Sequence, residues 1–347
     1  NLIRKRLPVP ELLSKEVTVG KFSKTKVAIL YMDGIADSET VYMIIERIQA
    51  IQYDHISDSS YIATMIADNA NSLFSQSIVT ERCDRVVAGL TEGKIIIIVD
   101  GSPDVLIQPI TLIESLIAIE DYSYPWILAS FFRLLRFFSF YVAGLITPLY
   151  VAVLTYHYEI IPTKLLESLI SSRSQVPFPP VFEVIILELL IELIKEAGIR
   201  LPVKVAQTLG IIGGIVIGEA IVQAGLTSNV LLILVGLSAL SSFATPIYKS
   251  GNAVRFFKFP LIILAQFLGL LGISIGFIII AITALRLSSF GNPFIGLYPF
   301  RKTALQDSWI RLPFSKQIEN PTVLRPEKKL KSTRILKYSK KNNDFYE

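Results

Sequence analysis

The chain has 347 residues, of which 52% are hydrophobic and only 18% charged. Soluble globular chains carry about 25% charged residues, so this composition excludes an ordinary cytosolic enzyme and points to a membrane protein. The single cysteine, Cys83, excludes an internal disulfide framework or a multi-thiolate metal site, and the two histidines, His55 and His157, argue against a histidine zinc centre or a hydrolytic triad.

The net charge of +5 is a sum of unlike parts. Residues 1–125 hold 11 Lys+Arg against 17 Asp+Glu, giving −6. Residues 126–285 hold 10 against 7, giving +3, and residues 286–347 hold 13 against 5, giving +8. This divides the chain into an acidic cytoplasmic α/β domain (1–125), a helical membrane domain (126–285) and a basic cytoplasmic tail (286–347). Nucleic acid is a poor partner for a basic excess that sits beside membrane segments, where anionic lipid head groups are the natural counter-charge. The chain opens on Asn1 mid-pattern, without a signal-peptide layout, so upstream sequence is expected.

In the acidic block, Lys26–Asp33 alternates as a strand. Ser38 then caps a helical stretch with Val41, Ile44, Ile45, Ile48 and Ile51 at helical spacing. A weaker helix is expected over 60–74 and a short one within 79–90. Lys94–Asp100 is an almost unbroken apolar run, as a central strand buried on both faces requires. Strands alternating with helices imply a small α/β domain. Both strands end in Asp-Gly phrases, Asp33–Asp37 and Asp100–Asp104. Carboxylates at strand ends can hold a metal, but Asp-Gly is first of all a turn former. No Gly-rich phosphate loop accompanies them.

In the membrane block, Phe137–His157 is long enough to cross a bilayer, preceded by Arg133 and Arg136 as candidate head-group anchors. Further candidate spans are 208–224, 229–248 and 259–285, giving about four. Gly210, Gly214 and Gly218 repeat every four residues, a small-residue face for close helix packing, and Glu219 lies in the same segment. The segment Pro180–Gly198 is densely apolar yet carries Glu183, Glu188, Glu192, Lys195 and Glu196. Glu188, Glu192 and Lys195/Glu196 share one helical face, with Glu183 turned away. A charge at bilayer depth costs at least about 2.5 kcal/mol. This amphipathic acidic helix therefore either lies in the interface plane or lines water in an assembly. With four spans and both ends cytoplasmic, the basic loop Lys249–Lys258 would face outward, against the positive-inside tendency.

Several phrases together resemble the spore germination receptor A subunits, the GerA family. They are Pro177-Phe-Pro179-Pro180 with the acidic helix, Glu196–Pro202 with Arg200, Gly210–Gly225, and Thr245-Pro246-Ile-Tyr248. The tail adds Phe290–Phe294 and Asp307–Pro313 with Arg311, and the soluble block fits the second half of that family's N-terminal domain. The resemblance implies a non-enzymatic, multi-pass protein of the spore inner membrane without cofactor or metal. It also implies transporter-like B and lipoprotein C partners, and an oligomer, pentameric in the family, that forms or gates a cation-conducting pore triggering germination. A non-conducting scaffold that only transmits the signal, and the paralogous stage V sporulation protein AF type, remain open alternatives. For an ion path we expect Glu183, Glu188, Glu192 and Glu219, because rings of carboxylates attract cations. For helix packing we expect Gly210, Gly214 and Gly218.

Overall fold

The computed structural model describes residues 1–202, 205, 210, 213–295 and 307–313. These fall into two compact units: one of residues 1–70, 76–133 and the described residues from Ser288 onward, the other of 71–75 and 134–287.

The first unit contains α1 (Leu2–Arg6), β1 (Leu12–Val19), β2 (Thr25–Met32), α2 (Ser38–Gln49), α3 (Ser59–Met65), β3 (Ile78–Thr80), α4 (Cys83–Thr91), β4 (Ile95–Val99) and β5 (Val105–Gln108). The sheet order is β1-β2-β4-β5-β3, and every pairing is antiparallel. The apolar run expected to be central is β4, with Ile95, Ile96 and Ile97 fully buried. Asp37, and not the expected Ser38, caps α2: its carboxylate accepts from the Thr40 backbone at 3.2 Å while Ser38 is the first helical residue. Ile44 and Ile48 of α2 enter the core with Ile29 and Ile97. The helix expected over 60–74 ends at Met65. Beyond it, the Gln76 side chain bonds Asp68 N and Asn69 O, fixing an irregular turn in place of further helix. The strand β1 lacks an alternating burial pattern, being exposed over most of its length, and so gives no sequence signal.

The segment after the last membrane-block helix completes this unit. Its hairpin is β6 (Ser288–Ser289) and β7 (Asn292–Pro293). Ser289 Oγ accepts from Ile110 N at 3.2 Å and Leu112 N donates to Phe294 O at 2.8 Å. Phe290 sits in the main core at 1% exposure, under the Arg47 guanidinium, which pairs with Asp68 at 2.6 Å. The chain thus leaves the unit after Arg133 and returns to it at Ser288.

The second unit is helical: α5 (Trp126–Tyr156, entered from the first unit), α6 (Thr163–Arg173), α7 (Pro180–Arg200), α8 (Gly218–Gln223), α9 (Asn229–Phe243) and α10 (Tyr248–Arg286). By length and composition α5 can cross a membrane, and so could the 39 residues of α10 if they formed one continuous helix. The expected span over 229–248 is shorter, 15 residues in α9, stopped ahead of Pro246. Most of the first half of the 208–224 span lies outside the described residues; Gly213–Ile217 is wound as a π segment leading into α8.

The span expected over 259–285 is not one rod. At Gly269 the backbone takes φ 60°, ψ −137°, a region essentially closed to other residues. A Cβ on Gly272 would overlap the Leu264 carbonyl, and one on Gly276 would lie 2.5 Å from Leu261. In a straight helix residues eight apart are separated by about 12 Å, so α10 folds back on itself. Its limbs, 248–268 and 270–286, run antiparallel, with the glycine face inside the hairpin.

We expect Phe290→Ala to destabilise the first unit by about 3–5 kcal/mol, read as a lowered denaturant midpoint. A midpoint equal to that of the unaltered chain would show that the 288–294 segment is not part of this core.

Candidate functional site: a buried charge ladder between α7 and α10

Three of the four expected ion-path glutamates lie on α7, and each meets a cation. Glu188 is fully buried: its Oε2 accepts from Lys258 Nζ at 2.5 Å and its Oε1 from Thr147 Oγ1 at 3.1 Å. One turn on, Glu192 pairs with Arg255 at 3.2 Å and with Lys195 at 3.8 Å. Glu183, on the other side of the helix as the 100° spacing requires, is also fully buried and pairs with Arg173 of α6 at 2.7 Å. Lys195 reaches Ser242 Oγ at 3.3 Å and lies over the Phe243 ring at 4.7 Å.

Helix packing puts these groups in register. Gly144 of α5 faces Val254 of α10, where a Cβ would come within 3.1 Å of the valine methyl, so the first limb of α10 lies close against α5. Ser238 Oγ of α9 donates to Ala143 O of α5 at 3.0 Å. Around the ladder, Val184, Leu187, Val151, Val235 and Ile262 form the apolar core of the unit. A pair such as Glu188–Lys258 survives there because each ion removes the other's desolvation cost; breaking one buried partner costs about 3–5 kcal/mol. The segment 249–258, expected as an outward loop, is helix, and its cations are the counter-charges of the acidic face. Spacing signalled the glutamates; the α10 partners of Glu192 and Glu188 lie 63 and 70 residues away and gave no local pattern.

The other expected residues are dispersed. Glu219 is exposed and accepts from Gln223 Nε2 at 3.1 Å, apart from the ladder. Gly218 is buried, with a Cβ position 3.6 Å from Leu232, while Gly210 and Gly214 have no described atom within 4 Å of that position. Asp33 and Asp100 close β2 and β4, which are antiparallel, and so stand at opposite ends of the sheet. Gly34 and Gly101 have φ of 69° and 81°, as Asp-Gly turns require. Among the described residues no group of three or more metal-ligating side chains forms.

In the first unit a second charged cluster is built around two buried arginines, Arg133 and Arg311. Arg133, expected at the head groups, is 0% exposed. Its Nη1 donates to Asp307 Oδ1 at 2.6 Å and Ser308 O at 3.0 Å, and its Nε to Asp121 Oδ2 at 3.2 Å. Arg311 donates to the Asp121 and Tyr124 carbonyls at 2.8 and 2.9 Å. Both guanidinium groups lie over the Tyr122 ring, whose hydroxyl donates to Asp307 at 2.5 Å. Burial, then the Asp307 charge, pushes the Tyr122 phenol well above its ordinary value. The segment 307–313 is therefore a strap across the linker and the start of α5.

The sequence matches the family model described as Bacillus/Clostridium GerA spore germination protein over residues 1–323. The chain belongs to the GerA family. Among its relatives, spore germination protein GerQA of Bacillus cereus is 52% identical over 95% of this chain and 66% of its own length. GerIA of the same organism is 50% identical over 99% of this chain and 52% of its own length. Spore germination protein A1 of Bacillus subtilis (strain 168) is 37% identical over 92% and 67%. The chain thus spans about half to two thirds of the length of these relatives. A solved structure, the N-terminal domain of the A subunit of the Bacillus megaterium spore germinant receptor GerK3, is 36% identical over 30% of this chain and 84% of that one, with a TM-score of 0.26.

The phrases that resembled the GerA family have definite places. Pro179 is the N-cap of α7 and Pro180 its first residue, where the missing N–H costs nothing; Pro177 precedes them. Arg200 ends α7 on an i,i+4 pair with Glu196 at 2.5 Å, and Pro202 follows. Thr245 and Pro246 separate α9 from α10, and Tyr248 opens α10 with Arg255 over its ring at 5.8 Å. Asp307 and Arg311 are the strap.

Arg133→Met should destabilise the first unit by about 3–5 kcal/mol, read as a lowered unfolding midpoint, and Arg133→Lys should recover little, since a lysine cannot fork between two carboxylates and a carbonyl. The chain's two tryptophans, Trp126 and Trp309, flank the cluster, so intrinsic fluorescence reads it directly. Full recovery with lysine would contradict the assignment.

Proposed function

We propose that this chain is the membrane-spanning part of a germinant-receptor A subunit, seated in the spore inner membrane. On this reading it assembles as an oligomer with transporter-like B and lipoprotein C subunits and forms or gates a cation path whose opening starts germination. It performs no catalysis of its own. The observation that carries this reading is the charge ladder of α7 and α10: charged groups buried among apolar helices, where a purely structural helix would be apolar, are accounted for by ion passage. Membership of the GerA family supplies the germination context.

Topology supports the same reading. Because residues before 134 and after 287 belong to one unit, any crossings between them are even in number, as four spans with both ends cytoplasmic require. The fold-back at Gly269 and the helix over 249–258 remove the outward basic loop that opposed this arrangement. Gly210 and Gly214, whose Cβ positions meet no described atom within 4 Å, are the positions we assign to close packing against a second copy. One observation favours the alternative, a scaffold that transmits the signal without conducting: each α7 glutamate on the path is already paired with a cation.

The test is potassium flux through the full-length protein reconstituted in liposomes with its partner subunits and challenged with nutrient amino acids, sugars and nucleosides. Glu188→Gln with Glu192→Gln should reduce nutrient-triggered flux about tenfold or more, the scale of removing about 1.4 kcal/mol of cation stabilisation. Unchanged flux with intact assembly would favour the scaffold, and no flux from the unaltered complex would end the pore reading.

A further inference from the structure

The ladder carries an unequal charge count. Glu188 and Glu192 face Lys195, Arg255 and Lys258, two acids against three bases. In this arrangement the acidic face of α7 is not an attractive site for a cation. Its carboxylates are occupied, and the surplus charge repels. A path using them has to displace the cations first.

We propose that Lys258 on Glu188, seconded by Arg255 on Glu192, is a charge latch that holds the acidic face of α7 shut against the first limb of α10. This rests on the reading of the α7 glutamates as a cation path. Both latch cations belong to the limb 248–268, which is bounded by Pro246 at one end and the positive-φ Gly269 at the other. It is a helical limb between two joints. Pro260, two residues beyond Lys258, lies inside the limb and removes one backbone donor next to the latch. Gly144 offers Val254 a smooth surface at that level. Opening withdraws the limb, exchanges the ammonium for water and leaves Glu188 and Glu192 free to accept a passing cation.

A latch differs from a merely stabilising ion pair in being asymmetric: losing the lysine frees a carboxylate, whereas losing the glutamate frees nothing that conducts. The full-length protein is reconstituted with its partners in potassium-loaded liposomes, with no nutrient added. Lys258→Met should raise spontaneous potassium efflux about tenfold or more, as a minor open state becomes dominant. Glu188→Gln should not, and the exchange Glu188→Lys with Lys258→Glu should return the closed state. In parallel, spin labels on the exposed positions Leu189 and Ile263, in a Cys83→Ser background, report the α7–α10 separation without reference to conduction. Lys258→Met should shift that distance by roughly 5 Å, one helical turn.

If the helices separate without efflux, the latch stands and the pore reading fails. If efflux rises with no change in separation, or if Lys258→Met changes neither, the latch is overturned. Should Lys258→Met not assemble, Arg255→Gln on the less buried rung gives the same reading: a leak and a shift support the latch, and their absence overturns it.

Discussion

Ionised glutamate is the group an apolar helical unit tolerates least, and the pairing of α7 with α10 is the condition under which this one exists. Glu188 is fully buried and bonded through both oxygens, to Lys258 and Thr147. Because Thr147 is on α5, Glu188 on α7 and Lys258 on α10, one carboxylate fixes three helices at a common depth. Glu192 and Arg255 repeat the connection a turn further on, and Glu183 with Arg173 ties α6 to the opposite side. Hydrophobic packing alone would let such helices slide; the ion pairs set their register.

The first unit is held by a comparable device of different purpose. Arg133 and Arg311 bracket Tyr122 and bind Asp121, Asp307 and neighbouring carbonyls. With the hairpin at 288–293, this brings sequence from beyond the helical unit into the core of the first unit. Each end of the intervening chain is consequently anchored in one folded body, and α5 begins inside it.

Much of this was legible in the sequence where periodicity and burial act locally. The run at 94–100 announced a central strand, the spacing from Val41 to Ile51 announced α2, and the glutamates of Pro180–Gly198 announced a helix with a charged face. What was not legible depends on partners distant in the chain. The strand β1 is exposed and lacks alternation. Arg133 reads as a head-group anchor until Asp307, more than 170 residues away, is brought to it. The basic residues 249–258 read as a loop because isolated charges belong in water, and only Glu188 and Glu192 make them affordable inside. The fold-back at Gly269 has no local signal, because Gly269, Gly272 and Gly276 in an apolar run look equally like a face for a neighbouring helix. The direction of the sheet pairing, which sets Asp33 and Asp100 at opposite ends, is likewise a long-range property.

The central claim, that Glu188 and Lys258 neutralise each other at the heart of the helical unit, is most directly tested by a double-mutant cycle. Glu188→Met, Lys258→Met and the double variant of the full chain would be compared by thermal unfolding in detergent. Each single change should cost about 3–5 kcal/mol by stranding a buried charge, and the double should cost less than either, because an apolar pair of similar volume strands none. If the two single effects instead add, the residues are not paired, and the ladder as described here is wrong.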